Sequence, residues 1–203
     1  MAHSLIQADY VIPSELLALR PPVTHEQFEE LCGMYDDLRL ELTSTGELIV
    51  MPPTGSLTGR RNFDLTAQLA LWSREHSNGV CFDSSAGFTL PNGAIRSPDV
   101  SWIHRERWNS LTKEQKGSFA PICPDFVVEI RSPSDNIKQL FLKMFEYIEN
   151  GTKLGWLIDP LRRKVYVYIP NKETLVLDNP ATVCGDPLLA GFELQLATLW
   201  SDE

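Results

Sequence analysis

The chain has 203 residues, 43% hydrophobic and 22% charged, which is ordinary for a soluble globular protein and enough for one good core. Its formal net charge of −9 argues against a general electrostatic binder of nucleic acid, because phosphate contacts need clustered Lys and Arg. The charge is unevenly spread: residues 131–172 carry 8 basic and 4 acidic groups, whereas residues 173–203 carry 6 acidic groups and no basic one. A basic run is most often a solvated face, so this asymmetry is no more than a hint.

The opening MAHSLIQADYVIP has neither the basic n-region nor the apolar h-region of a signal peptide. No apolar run approaches the roughly 20 residues that span a bilayer, so a cytoplasmic protein is expected. No Ser/Gly-rich or charged linker divides the text, and a single domain over 1–203 is expected. Cys32, Cys81, Cys123 and Cys184 are widely spaced without CxxC or a zinc pattern, and read as buried reduced thiols.

In chain order, THEQFEELCGMYDD predicts a helix with Thr24 as N-cap and Gln27 completing a capping box. LRLELTSTGELIVMPP alternates on either side of Ser44-Thr45-Gly46 and predicts a β-hairpin, with Glu41 on its first arm. Phe63, Leu65, Leu69 and Trp72 recur at helical spacing, so a second helix is expected from about Asn62 to Glu75. VCFDSSAGFTLPNG and SPDVSWIHRERW read as two strand segments joined by a turn at Pro91-Asn92-Gly93. After a polar excursion over 113–117 comes PDFVVEIRSPSD, whose Phe126, Val127, Val128 and Ile130 have the character of a buried strand. SPSD offers N-caps for a helix over about 135–150, stopped by Gly151, with Ile137, Leu140, Phe141, Met144 and Ile148 as its apolar stripe. GWLIDPLRRKVYVYIP gives a strand, a turn at Asp159-Pro160 and another strand, and LLAGFELQLATLW one or two short closing elements. This order, without strict βαβα alternation, predicts an α/β fold of mixed, α+β character: a sheet flanked by helices. No glycine-rich phosphate loop, GxSxG elbow or histidine triad occurs.

Glu129 is the anomaly, an ionisable carboxylate inside an apolar strand. Unpaired burial would cost several kcal/mol, so it needs a cation: Arg131, two residues along on the same face, or a metal ion. Two Pro-Asp pairs, 98–99 and 124–125, supply candidate second carboxylates. Asp125 is four residues from Glu129, roughly 13 Å away along a strand and awkwardly far for a shared ion. Asp99 opens a separate strand, and neighbouring strands lie only about 4.8 Å apart, so Asp99 and Glu129 are the pair expected to converge on one metal. Two carboxylates with water suit a hard divalent cation, Mg²⁺ or Mn²⁺, of the kind that polarises a phosphodiester.

Pro98-Asp99 followed by Glu129-Ile130-Arg131 resembles the PD-(D/E)xK signature of restriction-endonuclease-like phosphodiesterases, with Arg131 in the usual lysine position. The wider text, LELTSTGELIVMPPTG, GFTLPNGAIRSPDVSWIHRERW, CPDFVVEIRSPSD, KMFEYIENGTKLGWLIDP and GFELQLATLW, is similar over about 25–200 to a bacterial family described as putative restriction endonucleases, formerly a domain of unknown function. The resemblance implies a restriction-endonuclease-like core with a mixed sheet, flanking helices and an N-terminal β-hairpin extension. It implies a catalytic lysine moved from the strand to the next helix, a position matched by Lys143, and an acidic residue in the early strand, matched by Glu41. On a helical wheel Lys143 falls about 120° from the centre of the apolar stripe, so its stem must reach sideways to serve a site. The family often has a histidine after the MPPTG segment; here Leu57-Thr58-Gly59-Arg60-Arg61-Asn62 stands instead, with Arg60 and Arg61 as candidate phosphate contacts.

These readings lead to a Mg²⁺- or Mn²⁺-dependent endonuclease acting on DNA, with Asp99 and Glu129 as metal ligands and Lys143 and Glu41 as further catalytic residues. A homodimer is expected by analogy, since such enzymes act on both strands. The alternatives are a non-catalytic nucleic-acid-binding or regulatory module on the same fold, or a metal-free interaction protein.

Overall fold

A computed structural model describes residues 22–35, 38–51, 53–76 and 78–201. The opening segment read for targeting signals, and the Asp-Asp pair closing the first helical stretch, lie outside these residues. The described chain falls into two compact units divided after Pro53.

The first unit holds helix α1 (His25–Met34) and the antiparallel hairpin β1 (Arg39–Leu42) and β2 (Leu48–Met51). The capping box forms as expected: Thr24 accepts from the Gln27 N–H, and the Gln27 side chain accepts from the Thr24 N–H. Gly46, at φ +77°, turns the hairpin, and its carbonyl accepts from the Val23 N–H, clipping the segment before α1 to the turn.

The second unit is built on a six-stranded sheet in the order β10 (Leu175–Asp178), β9 (Lys164–Tyr168), β8 (Leu154–Asp159), β7 (Phe126–Ile130), β6 (Val100–His104), β3 (Gly79–Asp83). Only β7 and β8 pair in parallel; the other neighbours are antiparallel, so the sheet is mixed. The parallel pair needs a crossover, which helix α5 (Ile137–Glu149) supplies. Between β3 and β6 the chain makes the small hairpin β4 (Phe88–Thr89) and β5 (Ile95–Arg96) around the Pro91–Gly93 turn. Between β6 and β7 lie two short helices: α3 (Arg105–Asn109), where the RERW end of the expected strand segment turns helical, and α4 (Lys113–Lys116), in the polar excursion.

Helix α2 (Ser56–His76) packs Leu65, Leu69 and Trp72 against Phe126, Val128 and Ile130 on one sheet face. The closing pair β11 (Thr182–Cys184) and β12 (Glu193–Gln195), with α6 (Ala197–Trp200), completes that layer through Val183, Leu194 and Leu199. On the opposite face α5 lays Met144 and Tyr147 over Val127 and Leu157. The strand at the middle of the sheet is therefore buried on both sides, which is why its apolar run is nearly continuous. Glu129 falls by period-2 alternation on the α5 side.

Three local expectations change. Helix α2 begins at Ser56, well before Asn62: its first turns, SLTGRRN, carry no apolar stripe, and only packing of Thr58 and Arg61 into the protein recruits them. The N-cap of α5 is Asn136, which accepts from the Lys138 N–H, while Asp135 accepts from the Ser132 N–H and closes the preceding turn. All four cysteines are free, yet only Cys123 is buried; Cys184 is exposed, and Cys32 and Cys81 are half-buried. Burial pushes the Cys123 thiol up to about 11.

Candidate functional site

The site lies at the C-terminal end of β7. The β6–β7 register pairs Val100 with Val128, and one step further along the same antiparallel ladder sets Asp99 opposite Glu129. Directly opposed residues on such strands have Cα atoms about 4.5–5.5 Å apart, close enough for two carboxylates to reach one ion at the strand ends. Asp99 is anchored by its own oxygens: Oδ2 accepts from the Ile130 N–H at 2.8 Å, and Oδ1 from Asn62 Nδ2 at 3.1 Å.

Glu129 is 5% exposed. Its Oε1 accepts from the Tyr147 hydroxyl at 3.0 Å and lies 2.8 Å from Lys143 Nζ. Lys143 and Tyr147 are one turn apart on α5, so a single helix face delivers a cation and a hydroxyl to the same oxygen. The lysine does come in from the flank, and its side chain is largely buried on the way, the aliphatic stem covering apolar surface while the ammonium reaches the carboxylate.

Arg131 does not act as the partner of Glu129. Its Nη1 lies 2.9 Å from Oδ2 of Asp159 at the end of β8, a carboxylate with no exposure of its own. Asp125, at the other end of β7, is equally buried and serves the scaffold: it pairs with Lys153 at 2.8 Å and Arg107 at 2.9 Å and accepts from the His104 N–H. Burial alone would raise its pKa, but these hydrogen bonds outweigh burial and hold the carboxyl below its ordinary value.

Lys143 and Tyr147 thus meet Glu129 within the second unit, and the strand register sets Asp99 opposite it. Glu41 belongs to the first unit, on β1 opposite Ile49, and is 2% exposed, so it is not a solvent-facing hairpin residue. Of the two candidate phosphate-contacting arginines, Arg60 is exposed, whereas Arg61 is buried and donates to the Ser201 carbonyl. Sequence reading missed Tyr147 and Asn62. The i,i+4 spacing from Lys143 was a usable signal for Tyr147; nothing local pointed to Asn62.

The chemistry of this donor set fits a hard divalent cation. The strand register sets two carboxylate residues opposite each other, and beside Asp99 the Asn62 Oδ1 is a buried oxygen without a hydrogen-bond partner, suited to accept from a metal-bound water. Among the described residues no group of three or more His, Cys, Asp or Glu side chains gathers into a closed metal cage. One or two carboxylates completed by water and substrate phosphate is the coordination that Mg²⁺ prefers. Asp99 and Glu129 would hold such an ion.

Comparison with known proteins agrees with this architecture. A crystal structure described as a putative nuclease belonging to DUF820, from Anabaena variabilis ATCC 29413, is similar with a TM-score of 0.73 and 24% sequence identity, over 88% of this chain and 98% of that one. At that identity the likeness carries the fold. A search of curated proteins finds no match. Among the described residues no helix is long and apolar enough to cross a membrane. The family model Uma2, described as "Putative restriction endonuclease", matches residues 25–197, which takes in the hairpin, both candidate metal ligands and the α5 lysine, and the chain belongs to that family.

Proposed function

We propose that the protein is a divalent-metal-dependent endonuclease that hydrolyses DNA phosphodiester bonds. What supports this reading is Lys143 Nζ 2.8 Å from Glu129, on the strand whose register with β6 sets Asp99 opposite that carboxylate. A bound Mg²⁺ or Mn²⁺ would supply polarisation of the phosphodiester and a water of lowered pKa.

The chain's own residues do the rest. Asp99 and Glu129 concentrate negative charge where the cation is wanted, and their anchoring fixes the geometry before substrate arrives. Lys143 holds the attacking water or faces the negative charge that develops on the non-bridging phosphoryl oxygens, a task closed to Arg131, whose guanidinium is committed to Asp159. Tyr147 keeps Glu129 in place. Arg60, exposed on the first turns of α2, offers a cation to the substrate backbone. The family resemblance adds Glu41 as an assisting carboxylate; Glu41→Gln is expected to slow cleavage less than Glu129→Gln.

The test is cleavage of plasmid and oligonucleotide DNA with Mg²⁺ or Mn²⁺ by the wild type and by Asp99→Ala and Glu129→Ala, with circular dichroism as the folding control. Both variants are expected to lose divalent-dependent cleavage by at least about 10³-fold while remaining folded. Unchanged cleavage contradicts the mechanism. Mn²⁺ binding with no turnover on any DNA favours the non-catalytic module instead.

A further inference from the structure

Asn62 has no step assigned to it in the proposed mechanism. It sits on α2 and donates Nδ2–H to Asp99 Oδ1, while the Ile130 N–H holds Oδ2, so both oxygens of Asp99 are fixed from separate parts of the fold. The amide cannot be turned over at no cost, because its oxygen would then face a carboxylate oxygen, acceptor against acceptor. In the orientation that satisfies Asp99, Asn62 Oδ1 is buried and has no hydrogen-bond partner. Native proteins rarely leave a buried acceptor unsatisfied, and those that persist call for a missing donor. The Thr66 hydroxyl does not provide it, since it donates to the main-chain carbonyl of Asn62.

We infer that Asn62 is a positioning residue of the metal site: its nitrogen sets the Asp99 carboxylate for the ion, and its oxygen accepts from a water of the ion's shell. The inference rests on the reading of Asp99 and Glu129 as metal ligands. Small hard cations keep several waters, so an oxygen beside a ligand carboxylate has such a water within reach. Groups that orient metal ligands from behind typically change affinity by about 10–100-fold when removed.

The test is Mn²⁺ titration by calorimetry on the full chain, comparing wild type, Asn62→Ala and Asn62→Leu, with thermal melting of each in the absence of metal. Leucine keeps the heavy-atom count and branching of asparagine, is somewhat larger and has no polar atom, so with the smaller alanine variant it brackets space filling and separates it from hydrogen bonding. Both variants are expected to bind Mn²⁺ about 10–100-fold more weakly, with the leucine variant melting close to wild type without metal. In DNA cleavage kcat is expected to fall with KM for DNA little changed. Wild-type affinity in the leucine variant, whatever its melting temperature, overturns the inference and leaves Asn62 a packing residue. A wild-type chain that binds no Mn²⁺ overturns the metal reading first and this inference with it; a binding wild type with unaltered variants overturns the inference alone.

Discussion

Glu129 is a costly residue for a sheet interior, and its neighbours are the reason it is tolerated. Lys143 and Tyr147 converge on one of its oxygens, in surroundings where a lone carboxylate would be strongly destabilising. Lys143→Met removes the cation and leaves the charge, so the folded state is expected to lose about 3–5 kcal/mol in urea unfolding, with part of the loss restored by Mn²⁺. Adding Glu129→Gln to that variant removes the stranded charge and is expected to recover most of the stability but none of the cleavage. Full cleavage by Lys143→Met contradicts the role given to the lysine. The sequence exposed Glu129 because a charge in an apolar run violates the pattern around it. It also exposed Asp99, because strand spacing is short compared with spacing along a strand. Tyr147 stayed hidden: in an apolar helix stripe a tyrosine looks like core, and only the third dimension aims its hydroxyl.

At the scale of elements, the scaffold concentrates its demands where chain segments touch. Gly79 in β3 lies against the Trp102 indole of β6, and a Cβ there would meet ring atoms at 2.0–2.3 Å. Trp102 is fully buried and cannot withdraw, so Gly79→Ala is expected to cost about 1–3 kcal/mol or more, read as a lowered urea midpoint. Asp125 ties the start of β7 to Arg107, Lys153 and the β6 backbone, and its carboxyl is held below the ordinary value of 3.8. A depressed folded-state pKa gives stability that is present above the unfolded value and lost as pH falls through the folded one. Asp125→Asn is therefore expected to be less stable than wild type at neutral pH, with the gap constant down to about pH 4 and closing below it. A gap unchanged at pH 2–3 contradicts the assignment. Elements with strong periodicity or a capping box, such as α1, α5, the β1–β2 hairpin and β8–β9, were legible in the sequence. The early start of α2 was not, because residues 56–62 are helical through tertiary packing and lack a local apolar face.

At the scale of the whole molecule, the proposed function asks an acidic chain of net charge −9 to engage a polyanion. Arg61 is held by the Ser201 carbonyl and Arg131 by Asp159, which leaves Arg60 as the exposed arginine of the three. Affinity for DNA is expected to fall only gently with salt, with a log–log slope of about −1 to −3 for one to three neutralised phosphates. A slope near −8 would point to a basic surface that this reading does not contain. The mixed sheet between two helical layers was predictable from element order and apolar spacing, whereas the pairing order that brings β6 beside β7 is a property of the folded chain alone. The most direct measurement is anomalous diffraction from crystals soaked in Mn²⁺. The account predicts a peak bonded to carboxylate oxygens of both Asp99 and Glu129, with Asn62 Oδ1 accepting from one of its waters; a peak touching only one of the two, or none at that end of β7, would contradict it.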